Sequence, residues 1–108
     1  MNKISSPKGH YARLRQRFLS NRIDGFLDYE VVELLLKLAD NRRDQKITAK
    51  LLLNTFKSLR GVLEASPEQL KKIKGIGDAN IFELKLVQSV ARRYLKEQII
   101  GEKLYSVF

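Results

Sequence analysis

Apolar residues recur at helical spacing along nearly the whole of this chain, and no sustained two-residue alternation interrupts them before the last ten positions. That pattern excludes a sheet-based fold for most of the length. Tyr11, Leu14 and Phe18 make one stripe, predicting a helix over about 9–20. Residues 21–27 read as a turn centred on Asp24-Gly25, and Asp28 as the cap of a second helix over 29–39. This second helix carries Val31, Val32, Leu34, Leu35, Leu36 and Leu38 around most of its circumference, which places it at the centre of a core.

A charged connector, 40–44, leads to a helix over 46–56 that should bury Ile47, Leu51 and Leu52, followed by a short helical turn at 58–65. Ser66-Pro67-Glu68-Gln69 is a start signal, with serine as N-cap, proline at the first helical position and glutamine three residues after the cap. That helix ends near Lys74, and a last helix covers 78–96 with Ile81, Leu84, Val87, Ala91 and Tyr94 or Leu95 on its core face, widened by Phe82, Leu86 and Val90. The expected fold is all-α, a compact bundle of about five helices closing on a helix-hairpin-helix at about 66–96. Residues 98–108 form a short β-prone tail. Residues 1–7 read as a flexible terminus, 8–97 as the helical domain, and 98–108 as a linker or the first strand of a further domain.

The 108 residues suit one domain, and 44% apolar content suffices for one modest core. No run reaches the roughly 18 apolar residues of a membrane span, so no membrane partner is expected. The absence of cysteine removes disulfides, thiolate metal sites and a cysteine nucleophile, and fits a cytoplasmic setting. His10 is the only histidine, so a histidine-rich metal site cannot form, and neither a cofactor nor a catalytic constellation is expected. Asp28, Glu30 and Glu33 cluster, and read as the exposed edge of their helix.

The net charge of +9 favours an anionic partner, through counterion release from a phosphate backbone. Its distribution is uneven. Residues 1–22 hold six cations and no acid, among them Arg13, Arg15 and Arg17, whereas 61–108 hold eight cations against six acids. Arg42 and Arg43 stand beside Asp40 and Asp44, and read as local pairs.

The hairpin itself is Gly75-Ile76-Gly77. Its glycines permit positive φ and close approach of a foreign backbone, while Ile76 pins the turn to the core. Free N–H groups around Gly75, Gly77 and Ala79, at the start of the next helix, would face an anion with Lys74 and Lys85 nearby. A phosphate held in this way is recognised by position and not by base. Two glycines at a helix–helix turn also serve mere chain reversal, and Asp78 brings a negative charge to the turn's mouth, so both readings stand. Likewise Lys85, Ser89, Arg92 and Lys96 form a polar helix face that either flanks a nucleic acid or is simply solvated.

Several ordered motifs resemble the amino-terminal domain of the bacterial RadC proteins (UPF0758). They are Gly9-His10-x-x-Arg13-Leu14-Arg15-x-Arg17-Phe18, then Asp28 through Leu36, then Arg42-Arg43-Asp44. Ser58-Leu59-x-Gly61-Val62-Leu63-x-Ala65-Ser66-Pro67-Glu68-x-Leu70 follows, and then the hairpin. The resemblance covers about 8–95. It implies a helix-hairpin-helix domain labelled DNA repair, with DNA as partner. It also implies a JAB/MPN metalloprotease-like domain to follow, whose zinc ligands have no counterpart here. The sequence departs from that pattern in Lys74, where such hairpins often have proline, and in Ile81, where many have alanine. The expectation is a non-catalytic, sequence-independent DNA-binding module. Its alternative is a protein-interaction or scaffold domain.

Overall fold

The computed structural model describes residues 7–107, with side chains for 9–103. Six helices follow one another: α1 (Pro7–Asn21), α2 (Asp28–Ala39), α3 (Lys46–Phe56), α4 (Leu59–Glu64), α5 (Pro67–Lys71) and α6 (Asp78–Val107). No strand occurs among the described residues, and the fold is all-α as the periodicity requires. The flexible terminus expected at 1–7 lies outside the described residues, apart from Pro7 at the start of α1.

Local chemistry sets the boundaries. The N-cap position of α2 is Leu27, not the expected Asp28. Leucine has no side-chain acceptor, and its backbone N–H donates instead to Glu30 Oε1 at 3.0 Å, so a carboxylate inside the first turn fixes the helix start. Ser58 Oγ accepts from the Gly61 N–H at 2.9 Å and opens α4. Ser66 and Gln69 form the reciprocal box read from the sequence, at 3.1 and 2.9 Å.

The core gathers Val32 and Leu36 of α2, Ala49 and Leu52 of α3, Val62 of α4, Leu70 of α5, Ile76 of the hairpin and Leu84 of α6. Its axis is α2, which packs against α1, α3, α4 and α6; among the described residues α1 packs on α2 alone, and α5 on α6 alone. Burial is narrower than the apolar pattern suggests. Leu38 and Ile47 are 72% and 78% exposed.

The β-prone tail is a correction. Residues 98–107 continue α6, which runs 30 residues without a break. An isolated strand has no ladder partner, whereas a helix satisfies its own backbone groups locally. Residues 91–100 are all exposed, Tyr94 and Leu95 included, as are Phe82, Leu86 and Val90, since beyond its first turns α6 leaves the globule. Thirty residues of helix span about 45 Å, and α6 sets the long axis of a body measuring 60 × 35 × 21 Å.

Candidate nucleic-acid interface

The chain turns between α5 and α6 through residues 72–77. The Ile76 N–H donates to Ile73 O at 3.1 Å, and Gly75 adopts φ +95°, a conformation that side chains strain to reach. Ile76 is buried in the core cluster, so the expected pin is in place. Gly77 occupies the N-cap position of α6, since its carbonyl accepts the first helical bond, from Ile81 at 3.1 Å. The amides of Asp78, Ala79 and Asn80 therefore have no acceptor within the helix.

The two glycines differ in kind. A Cβ on Gly75 would stand 2.7 Å from Thr48 Oγ1 and 3.2 Å from Arg43 Nη2, whereas a Cβ on Gly77 would meet nothing within 4 Å. Gly75 serves close packing, and the space over Gly77 is open. Gly77, Asp78 and Ala79 are all exposed. The Gly77 amide is already committed, however, because its N–H donates to Asn80 Oδ1 at 3.1 Å. The donors left at the exposed start of α6 are accordingly those of Asp78 and Ala79. The Asp78 carboxylate lies 3.9 Å from Lys71 Nζ with both groups largely in solvent, a pair of little strength.

The cations divide by what they touch. Lys74 is exposed beside the turn. Lys85 is spent elsewhere: its ammonium donates to Leu63 O at 2.8 Å, Ala65 O at 2.6 Å and Gln88 Oε1 at 3.0 Å. An ammonium has three N–H donors, so none is left for a phosphate; Lys85 instead caps the C-terminal carbonyls of α4. Burial, with Arg92 adding to it, lowers its affinity for the proton. Lys85→Met should keep the packed stem and lose this cap, lowering stability by about 1–2 kcal/mol. A denaturant midpoint unchanged within error would show that the cap contributes nothing.

On α1, Arg17 pairs with Glu30 through two contacts of 2.9 and 3.2 Å and lies over the Phe26 ring at 4.5 Å. The guanidinium holds the Glu30 carboxyl below its usual range. Arg17 is therefore a fastener between α1 and α2, not a free long-range charge. His10 Nε2 makes a second fastener, 3.0 Å from the buried carboxylate of Glu33. Glu30 and Glu33 were expected on an exposed edge; they are 8% and 1% exposed, because α1 lies over that face. Arg15 sits 5.9 Å from the Tyr11 ring centre, and Arg13 is exposed.

Arg15 also borders an apolar groove of about 280 Å³ between α1 and α2, lined otherwise by Tyr11, Phe18, Leu19, Ile23, Val31, Leu34, Leu35 and Leu38. Periodicity assigned six α2 residues to a core, and four of them, Val31, Leu34, Leu35 and Leu38, line this open groove.

Arg43 was missed as a hairpin neighbour. Its expected partner Asp44 instead accepts from the Lys46 N–H at 3.0 Å, while Arg42 does approach Asp40, at 3.7 Å. Arg43 and Gly75 are far apart in sequence, and no linear pattern signals their meeting. Among the described residues no group of three or more His, Cys, Asp or Glu could hold a metal ion. Nor is any helix there long and apolar enough to cross a membrane.

No family model matches the chain and no solved structure resembles it significantly. Individual proteins do. A UPF0758 protein of Fusobacterium nucleatum is 43% identical over 97 residues, which are 90% of this chain and 42% of the relative. One of Ruegeria pomeroyi is 36% identical over 99 residues, 92% of this chain and 44% of the relative. One of Rhodobacter capsulatus is 38% identical over 93 residues, 86% of this chain and 44% of the relative. The chain thus spans somewhat less than half the length of these relatives, and about nine-tenths of its own length is similar to UPF0758 proteins.

Proposed function

We propose that this chain is a sequence-independent DNA-binding module of a RadC-like protein, and that it holds a backbone phosphate at the hairpin. The observation that carries the reading is the open space over Gly77, at the positive end of a long helix whose first residues, Asp78 and Ala79, are exposed and whose first amides have no helical acceptor. Lys74 borders that space, and Arg13 and Arg15 add attraction at longer range. Nothing in such an arrangement reads a base edge, so affinity should be indifferent to sequence.

A salt titration tests it. Log affinity for a labelled duplex should fall linearly with log salt, with a slope of about −2 to −4 if two to four phosphates are neutralised. Undetectable binding at low salt removes the reading. Loss of binding in an Arg13 and Arg15 double variant, with Gly77→Glu harmless, moves the site to α1.

The groove between α1 and α2 favours a second reading, a protein-docking face. Eight apolar side chains bordered by one arginine make a better bed for a peptide or domain surface than for a nucleic acid. A metalloprotease-like domain of the kind the RadC resemblance implies is its natural candidate. Leu38→Asp, 72% exposed at that groove, should abolish capture of such a domain and leave DNA affinity unchanged.

A further inference from the structure

The connector between α2 and α3 closes against the hairpin. Thr48, in the first turn of α3, and Arg43, in the connector, both lie against Gly75: a Cβ there would stand 2.7 Å from Thr48 Oγ1 and 3.2 Å from Arg43 Nη2. The turn and the connector therefore form one surface, although the sequence separates them widely. Three positive features meet there: the first amides of α6, Lys74, and the Arg43 guanidinium.

Arg43 is unlike the arginines that have structural partners. Arg17, Arg42 and Arg60 each face a carboxylate, and Arg22 donates to the Leu19 carbonyl at 2.7 Å. Arg43 is exposed and, among the described residues, makes no hydrogen bond or ion pair. A guanidinium carries five N–H donors in a rigid fork that matches phosphate oxygens two at a time. Here that fork is set down beside the turn by contact with a glycine, and all its donors remain unused.

We infer that Arg43 is a phosphate-binding arm of the hairpin site, reaching from the α2–α3 connector to grip the nucleic-acid backbone beside the anion held at the α6 amides. The inference rests on the hairpin reading above and extends it. The site becomes composite, with Arg43 supplying the directional charge that Lys85, turned inward, does not.

The test uses the 108-residue chain, a fluorescein-labelled duplex read by anisotropy across a salt series, and thermal unfolding of every variant. Arg43→Gln should weaken binding about tenfold at low salt and flatten the salt slope by about one. Arg43→Lys should restore the slope and only part of the affinity, because a point charge replaces a fork. Arg60→Gln, an equal loss of charge on α4, should change affinity less than about twofold. If Arg43→Gln weakens binding no more than Arg60→Gln while Gly77→Glu abolishes it, Arg43 is no ligand and the hairpin reading stands. If the native chain shows no salt-dependent binding, the hairpin reading fails and takes this one with it. Binding losses that follow a lowered melting temperature in both Arg43 variants assign the residue to folding and overturn the inference.

Discussion

Gly75→Ala is expected to lower the unfolding free energy by about 3 kcal/mol. One part of the cost is conformational, since alanine at φ +95° is strained by roughly 1–2 kcal/mol. The rest is steric, because the new methyl would stand 2.7 Å from Thr48 Oγ1 and force α3 and the hairpin apart, at about 1–3 kcal/mol. Gly77→Glu, two residues away, should leave stability within about 0.5 kcal/mol, because its side chain enters open space. It should nevertheless abolish DNA binding by placing a carboxylate where the phosphate belongs. Urea unfolding and anisotropy on the same two variants measure both. Equal stability losses in the two would contradict the division of labour between the glycines, and unchanged DNA affinity in Gly77→Glu would exclude the grip.

Glu83→Gln should make the protein more stable at pH 8 by about 2 kcal/mol and leave it nearly unchanged near pH 4–5. Burial pushes the Glu83 carboxyl up to about 7, and both its oxygens are buried with no hydrogen-bond partner. The folded state thus holds a proton that the unfolded chain releases near pH 4.3. Stability from this group is fully present below the unfolded value and is lost as pH rises through about 7. The full shift corresponds to roughly 3 kcal/mol, reduced here because the group is only partly shielded from water. Chemical unfolding across pH 4–8 should show the native chain declining relative to the variant. Parallel curves would mean that Glu83 ionises in a solvated setting.

The bounds of α3 and the start of α5 were legible because their causes are local, whereas α5 stops at Lys71, short of the expected Lys74, and α6 runs on to Val107. The Ser66 box, Pro67, the glycines after Lys74 and the 3.6-residue stripes each act within a few positions, and α3 falls on the residues the stripe predicts. Partnerships between helices were not legible. Glu33 reads as a surface acid until α1 brings His10 across it, and Lys85 reads as a solvated cation until α4 ends beneath its ammonium. Periodicity names the apolar face of a helix but not whether a neighbour arrives to cover it. Tyr94 and Leu95 have the face and lack the neighbour. In the site, Gly75 and Ile76 were readable as turn and pin. Arg43 was not, because its place depends on the packing of α3 against the hairpin.

One mechanical consequence follows from the uninterrupted course of α6. Its first residue is the mouth of the hairpin, and its far end lies about 45 Å away with no joint between. A rod of that length is a lever: a tilt of about 5° at the hairpin sweeps the tip through about 4 Å. A tilt at the hairpin is therefore felt at the far end of α6, magnified by the length of the helix.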